Sequence, residues 1–317
     1  MSLDCLSVGV LVADHLCTPI SHLPRAGELV LADRLELNIG GCASNAAIDL
    51  KRNDVNVAVV GCVGDDTFGQ FIIDTLNHAG VDTVSIRKLT EIGTSGTLIL
   101  NVQGEDRRFI HTIGANGRLR AEDVPLDRLR ESKVFYVGGY RLMTALDQDS
   151  LVELFRQARA WGVKTVLDVV MPGPGEHWSH FERLLPFTDV FLPNNDEAAL
   201  ITGLHEPKQQ ALRFLEAGAQ TVVITCGGDG TFLVNQSERL FASAHRVDFV
   251  GGTGAGDAFD AGYIRGMLEG GDARRCLAWG SALGASCVRS ISATESVFRR
   301  DEALAFIEAN PLTIERW

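Results

Sequence analysis

The sequence predicts an α/β protein: a mainly parallel central sheet with helices on both faces, and additional strands outside that parallel core. Three observations predict this. Short continuous apolar runs, typical of strands buried on both faces, recur along the chain. Helix-length amphipathic segments alternate with them, and that rhythm builds βαβ units. Two stretches, about 14–38 and 94–112, break the rhythm with alternating apolar and polar residues, so they fall outside the parallel core.

The first run, residues 6–12 (LSVGVLV), reads as a buried strand. The stretch 14–38 follows, with PRAGE and the alternating LVLADRLELN, and leads into a helix over 43–52. A strand over 57–63 and a helix over 68–78 come next. Residues 94–112 (TSGTLILNVQGEDRRFIHT) form a hairpin pattern around Gln103-Gly104-Glu105-Asp106. The two irregular stretches can pair into a cap or extend an edge of the main sheet, and pattern leaves both open. Strands over 134–137, 165–168, 190–192 and 221–225 then alternate with helices over 149–161, 197–202 and 209–217. From residue 255 the chain is mostly helical, over 255–268, 273–288 and 301–309. No internal repeat or low-complexity linker interrupts it. The expectation is one domain, 1–317, with a lid from about 14–38 and 94–112.

Charge and cysteine usage narrow the partners. The formal net charge of −12 makes nucleic acid and anionic membrane surfaces poor partners. Seven cysteines, odd in number, scattered and without a C-x-x-C pair, suggest neither a disulfide framework nor a zinc site. They read as small buried hydrophobes in a reducing cytoplasm. Residues 1–12 lack a basic segment and carry an acid at position 4, unlike a secretory signal. The apolar runs are too short to span a bilayer. A cytoplasmic protein is expected.

Five segments carry candidate chemistry. NIGGCASN (38–45) places Gly40-Gly41 before a helix and Asn45 one turn into it. That suits close backbone approach to a ligand, or simply a tight turn. VGCVGDDTFG (60–69) reads mainly as a strand end and a helix cap at Asp65 or Asp66. In LPNNDE (192–197), Asn194 and Glu197 are three apart at a helix start. An amide and a carboxylate there suit a hydrated Mg²⁺, and equally a capping box. TCGGDG (225–230) follows a buried strand and admits a nucleotide or makes a hairpin turn. Finally, GGTGAGDAFDAGYI (251–264) is a Gly-rich loop opening a helix, a natural anion cradle. It carries Asp257 where a Walker loop has Lys. The division of labour this suggests is phosphoryl transfer. The amides of Gly254, Ala255 and Gly256 meet the charge developing on phosphorus, and Asp257 takes the proton of the attacking hydroxyl. An Asp favoured by the helix dipole is the plainer account.

Taken together, these segments resemble the ribokinase-like, or phosphofructokinase B type, carbohydrate kinases over nearly the whole chain. NIGGCASNAAIDLKRNDVNVAVVGCVGDDTFG is similar to that family's first signature and GGTGAGDAFDAGYIRGML to its second. The resemblance implies a three-layer fold with a β-sheet lid that often doubles as a dimer interface, hence a homodimer. It implies ATP and Mg²⁺ and a small sugar substrate, with Asp257 as general base and Gly254, Ala255 and Gly256 as anion hole. Asp14, Gly40, Gly41 and Asn45 match substrate positions. Asn194, Thr225, Gly227, Gly230, Gly254 and Gly256 match nucleotide positions, and Glu197 with Asn194 the Mg²⁺ positions, through water. Departures accompany it. Gly251-Gly252 replaces the usual Asp-Thr and Ser292 replaces a glycine, so activation by a monovalent cation such as K⁺ is not carried over. From Asp168 the run DVVMPGPGEHW carries no Arg, unlike the Asp-x-Asn-x-Arg of relatives that take acidic sugars. Arg107 and Arg108 either reach an anionic substrate or are solvated turn residues. A nucleoside kinase and a non-catalytic sugar or nucleotide sensor are the alternatives. An aromatic content of 7% is low for a base pocket.

Overall fold

The computed structural model describes residues 3–105 and 108–317, so Arg107 lies outside the described residues. The strands are β1 (Cys5–Gly9), β2 (Val12–Ile20), β3 (Leu35–Gly40), β4 (Val57–Gly64), β5 (Asp82–Leu89), β6 (Gly96–Val102) and β7 (Arg108–Thr112), then β8 (Val134–Tyr140), β9 (Lys164–Val169), β10 (Val190–Phe191), β11 (Thr221–Thr225), β12 (Thr231–Asn235), β13 (Arg239–Ala242) and β14 (Ile314–Arg316). The helices are α1 (Cys42–Arg52), α2 (Thr67–His78), α3 (Leu126–Glu131), α4 (Gln148–Ala160), α5 (Asn195–Thr202), α6 (Pro207–Glu216), α7 (Ala255–Leu268), α8 (Ala273–Cys287) and α9 (Arg300–Ala309).

A ten-stranded sheet runs β14-β13-β12-β11-β10-β9-β8-β1-β4-β5. From β5 to β11 the strands pair in parallel. β12, β13 and β14 add an antiparallel edge. Parallel pairing needs crossover connections, and the amphipathic helices supply them on both faces. Alternate residues of one strand therefore enter different cores. Val57 and Val59 of β4 pack with α1, α7 and α8, whereas Ala58, Val60 and Cys62 pack with the α4, α5 and α6 side. Burial of each large side chain contributes about 1.5–3 kcal/mol.

Two differences from the sequence reading concern strands. Residues 6–12 are not one strand: β1 ends at Gly9, and Val12 begins β2 in the second sheet. The apolar run persists because Val10 and Leu11 are buried at the crossing between sheets. β5, β13 and β14 were not expected, since they are short or partly exposed strands toward the sheet's edges without a continuous apolar run.

The irregular stretches form a separate four-stranded sheet, ordered β3-β2-β6-β7. They do not extend the main one. β6 and β7 form the hairpin, with Leu98 opposite Ile110. Its own apolar cluster is small, centred on Cys17, Ile20 and Val102. Asp66 anchors it to the body: its carboxylate caps α2 at Gly69 N (2.8 Å) and accepts from Thr94 N (2.8 Å) and Thr94 Oγ1 (2.6 Å). The segment 60–69 is thus structural, as its sequence suggests. Among the described residues no helix is long and apolar enough to cross a membrane.

Candidate active site

The C-terminal ends of β1, β8 and β9, the start of α1, the start of α7 and one face of the small sheet meet at a common point. Such sheet ends are the usual ligand crevice of open α/β folds. α7 begins with Gly254 at its cap, φ 79°, and no side chain caps it. The backbone amides of Gly256 and Asp257 take no partner from the described chain, while that of Ala255 donates weakly to the Gly252 carbonyl (3.3 Å). Unpaired amides at a helix start can cradle an anion; of the three residues expected to do so, Gly256 keeps a free amide and Ala255 has spent its own on Gly252.

Asp257 lies in the first turn of α7, half-buried. Asn45, one turn into α1, donates from Nδ2 to Asp257 Oδ2 at 2.8 Å across 212 residues of sequence. Burial raises the Asp257 pKa, and the hydrogen bonds from Asn45 and Cys42 oppose the rise. Gly41 caps α1 and Gly40 ends β3. Gly40 is needed for space. A Cβ there would sit 2.0 Å from Asp14 Oδ2, so the missing side chain is where the Asp14 carboxylate lies.

Asp14, on β2, is buried, and its pKa is pushed up to about 6 by burial, with the Asp257 charge adding and a Thr97 hydrogen bond opposing. Register makes Asp14 part of a polar row across the small sheet. Asn38 of β3 pairs with Asp14, Asp14 with Thr97 of β6, and Thr97 with His111 of β7. Thr97 Oγ1 and His111 Nδ1 are 3.0 Å apart. The Asn38 Nδ2 atom is buried and has no partner among the described residues.

Two further residues at this point were not singled out from sequence. Asp168, the next-to-last residue of β9, accepts from Gly139 N of β8 at 2.9 Å. Burial, then the Asp257 charge, raises its pKa. Cys42, the first residue of α1, places its thiol so that Sγ and carboxylate oxygens of Asp168 and Asp257 all lie within 4.8 Å of one another. Behind them, Tyr136 donates to buried Asp260 (2.9 Å). Cys42 lies inside NIGGCASN and Asp168 heads the run DVVMPGPGEHW, but neither was singled out there. The one available signal for Asp168 is its place at the C-terminal end of a buried strand.

Next to the Gly254–Asp257 turn lies a cavity of about 520 Å³. Thr225, Gly227, Gly230 and Gly256 line it, as do Ser281, Gly284 and Ala285 of α8. The segment 225–230 therefore makes both a cavity wall and the β11–β12 hairpin turn. Asn194 and Gly254 are beside the cavity rather than in its lining: Asn194 bridges Thr225 in parallel, and Gly254 precedes α7. Sequence reading missed the apolar wall from Ala244, Val247 and Phe249, a coil segment without periodicity.

Asn194 and Glu197 form the capping box. Asn194 Oδ1 accepts from the amides of Asp196 (3.0 Å) and Glu197 (2.9 Å), and Glu197 Oε2 accepts from Asn194 N (3.0 Å). Burial, then the Asp168 charge, raises the Glu197 pKa. The amide oxygen is thus committed to the cap, while a second Glu197 oxygen remains. Arg108 pairs with Glu105 at the hairpin turn, and both are exposed. That leaves Arg108 exposed to solvent.

Comparison with known proteins follows the same outline. The model of the pfkB family carbohydrate kinases matches residues 3–299. A ribokinase of Haemophilus influenzae is 28% identical over 308 residues, covering 95% of this chain and 97% of that protein. Among solved structures, Arabidopsis thaliana ribokinase complexed with ribose and ATP superposes with a TM-score of 0.83 at 23% identity, covering 97% of this chain and 99% of that one. A putative ribokinase II of E. coli in complex with ATP and Mg²⁺ gives 0.82 at 23% identity, covering 97% and 100%.

Proposed function

Because the chain belongs to the pfkB family of carbohydrate kinases, we propose that it transfers the γ-phosphoryl group of ATP to a hydroxyl of a small sugar at Asp257. One observation carries the assignment. Asp257 adjoins Gly256, which lies in the wall of the cavity of about 520 Å³; Asn45 bonds to it and its charge reaches Asp14, the two residues we take to hold the sugar. The acceptor hydroxyl lies against Asp257, which takes its proton as the oxygen attacks phosphorus and the bond to the β-phosphate oxygen breaks. The free amides at the start of α7 stabilise the negative charge spreading over the phosphoryl oxygens. Asp14, Asp168 and the polar row on the small sheet accept and donate to the remaining sugar hydroxyls. Thr225, Gly227 and Gly230 border ADP as it leaves.

The residues present fit Mg²⁺. Glu197 keeps one uncommitted oxygen in a site whose carboxylates raise one another's pKa values, which a dication relieves. Asn194 is occupied by the cap, so Glu197 would hold the ion, through water. When bound, Mg²⁺ neutralises charge on the β- and γ-phosphates. Activation by K⁺ is not part of the reading. At Gly251 a side chain would meet the Ser290 carbonyl at 3.1 Å, and no carboxylate stands there.

The small sheet is assigned as a lid on a single kinase unit and as the homodimer surface. Leu29, Leu31, Leu35 and Ile110 are exposed on and beside it, more apolar surface than its thin core accounts for. Ile110→Glu combined with Leu31→Glu should convert a dimer into a monomer by light scattering. An unchanged mass would remove the lid as interface.

The decisive experiment is ADP release across pentoses, hexoses, sugar phosphates and nucleosides, with Na⁺ or K⁺, for the wild type and Asp257→Ala. Sugar-dependent turnover that falls by about 100-fold or more in Asp257→Ala, with ATP binding retained, supports the reading. Turnover within a few-fold of wild type would falsify the base assignment. Turnover of nucleosides alone would replace sugar by nucleoside as the acceptor.

A further inference from the structure

We infer that Cys42, Asp168 and Asp257 form an inhibitory site for a borderline or soft divalent cation such as Zn²⁺, Co²⁺ or Cd²⁺. The three side chains come from α1, β9 and α7, and their donor atoms lie within 4.8 Å of one another. Around a tetrahedral Zn²⁺, thiolate and carboxylate donors stand about 3.4–3.6 Å apart, from bond lengths of about 2.3 and 2.1 Å. Inward shifts of about 1 Å therefore complete the geometry. Cys42 and Asp168 are both more than nine-tenths buried.

A second observation points the same way. Asn45 is 2% exposed, and its amide is bound through Nδ2 to Asp257. The Oδ1 atom of that amide is buried and has no partner among the described residues. It is an unsatisfied oxygen donor on a side chain that already touches the cluster through Asp257, and it could serve as the fourth ligand directly or through water. The thiol selects the metal. Mg²⁺ prefers oxygen donors and its own waters, whereas Zn²⁺, Co²⁺ and Cd²⁺ take sulfur readily.

Binding replaces the thiol proton with the metal: one S–H bond is lost, one S–metal bond forms, and a proton leaves to solvent. Occupancy therefore tightens as pH rises. An occupied site ties up the Asp257 oxygen that would accept the hydroxyl proton, and it fills space assigned to the sugar. Inhibition should compete with sugar and not with ATP. This consequence rests on the proposed kinase assignment; metal binding itself does not.

The test has a spectroscopic arm and a kinetic arm. Titration of the protein with Co²⁺ should produce a near-ultraviolet sulfur-to-cobalt charge-transfer band together with visible bands of a tetrahedral ion. Loss of an outer partner of a metal ligand weakens a site about 10–100-fold, so loss of the thiolate itself in Cys42→Ser should raise the half-saturating Co²⁺ concentration by more than about 10-fold and abolish the band. Asp168→Asn should weaken binding while keeping the band. In the kinetic arm, Zn²⁺ should raise the sugar KM without changing the ATP KM, and Cys42→Ser should relieve this. A band of equal strength in Cys42→Ser overturns the site. Cobalt binding without competition against sugar leaves the metal site standing and removes its inhibitory role. Absence of kinase turnover, with the band present, counts against the kinase assignment alone.

Discussion

Replacing Asn45 by Ala tests the connection between α1 and the catalytic carboxylate. In the wild type Asn45 Nδ2 donates to Asp257 Oδ2 at 2.8 Å, and this bond opposes the upward shift that burial imposes on Asp257. A hydrogen bond to a charged group contributes about 1.5–3 kcal/mol. One pKa unit corresponds to about 1.4 kcal/mol, so losing the bond should raise the Asp257 pKa by about 1–2 units. The base works deprotonated. The acidic limb of kcat therefore moves to higher pH by the same amount. Below the limb, kcat of Asn45→Ala should be about 10–100-fold under wild type, and the two should converge as pH rises. The assay is coupled ADP release at saturating sugar and ATP from about pH 5 to about pH 9, since kcat reports groups in the bound complex. A loss of equal size at every pH would refute the reasoning, because Asn45 would then position the sugar rather than tune Asp257. An unmoved limb with undiminished kcat would remove Asn45 from the site.

Three further outcomes are expected. Gly40→Ala puts a Cβ where Asp14 Oδ2 now lies, so the sugar KM should rise at least about 10-fold with the ATP KM unchanged; an unaltered sugar KM would separate Asp14 from substrate binding. Gly254→Ala meets both a positive φ of 79° and the Ala293 carbonyl at 2.5 Å; a left-handed non-Gly residue alone costs about 1–2 kcal/mol, so Tm and kcat should both drop, and a variant with wild-type kcat would exclude the α7 start as anion hole. Asp49 of α1 is fully buried, and neither carboxylate oxygen has a partner among the described residues. Burial raises its pKa well above that of the unfolded chain. Above about pH 4 the unfolded state ionises Asp49 while the folded state keeps the proton, so stability falls with rising pH by about 1.4 kcal/mol per unit until the folded pKa is reached. Asp49→Asn should therefore raise the urea midpoint, more at pH about 7 than at about 5. The same gain at both pH values would show that Asp49 ionises in the fold.

Much of the architecture was legible because strands and helices carry their burial as a local period. The segments 221–225 and 255–268 coincide with β11 and α7, and the hairpin at 94–112 is β6 and β7. The accessory sheet was legible as alternation, but whether it stood alone was not, since pairing partners are a matter of register. Strand β5 escaped because an exposed edge strand needs no apolar run. The residues 243–249 escaped because coil has no period, although they wall the cavity.

The sequence by itself determined the alternation of strands and helices, the Gly-rich start of α7 and the presence of a carboxylate in its first turn. These depend on residues adjacent in the chain, whose side-chain types set local backbone geometry. Only the tertiary structure decided what surrounds that carboxylate. Asp168 from β9, and Asn45 and Cys42 at the start of α1, meet Asp257 where the parallel strands end at one edge, and Asp14 arrives from β2, where the chain crosses from β1 into the small sheet. It also decided that Asn194 and Glu197 spend their nearest atoms on a helix cap. A carboxylate's pKa and role follow from burial and from neighbours distant in sequence, and local pattern carries neither.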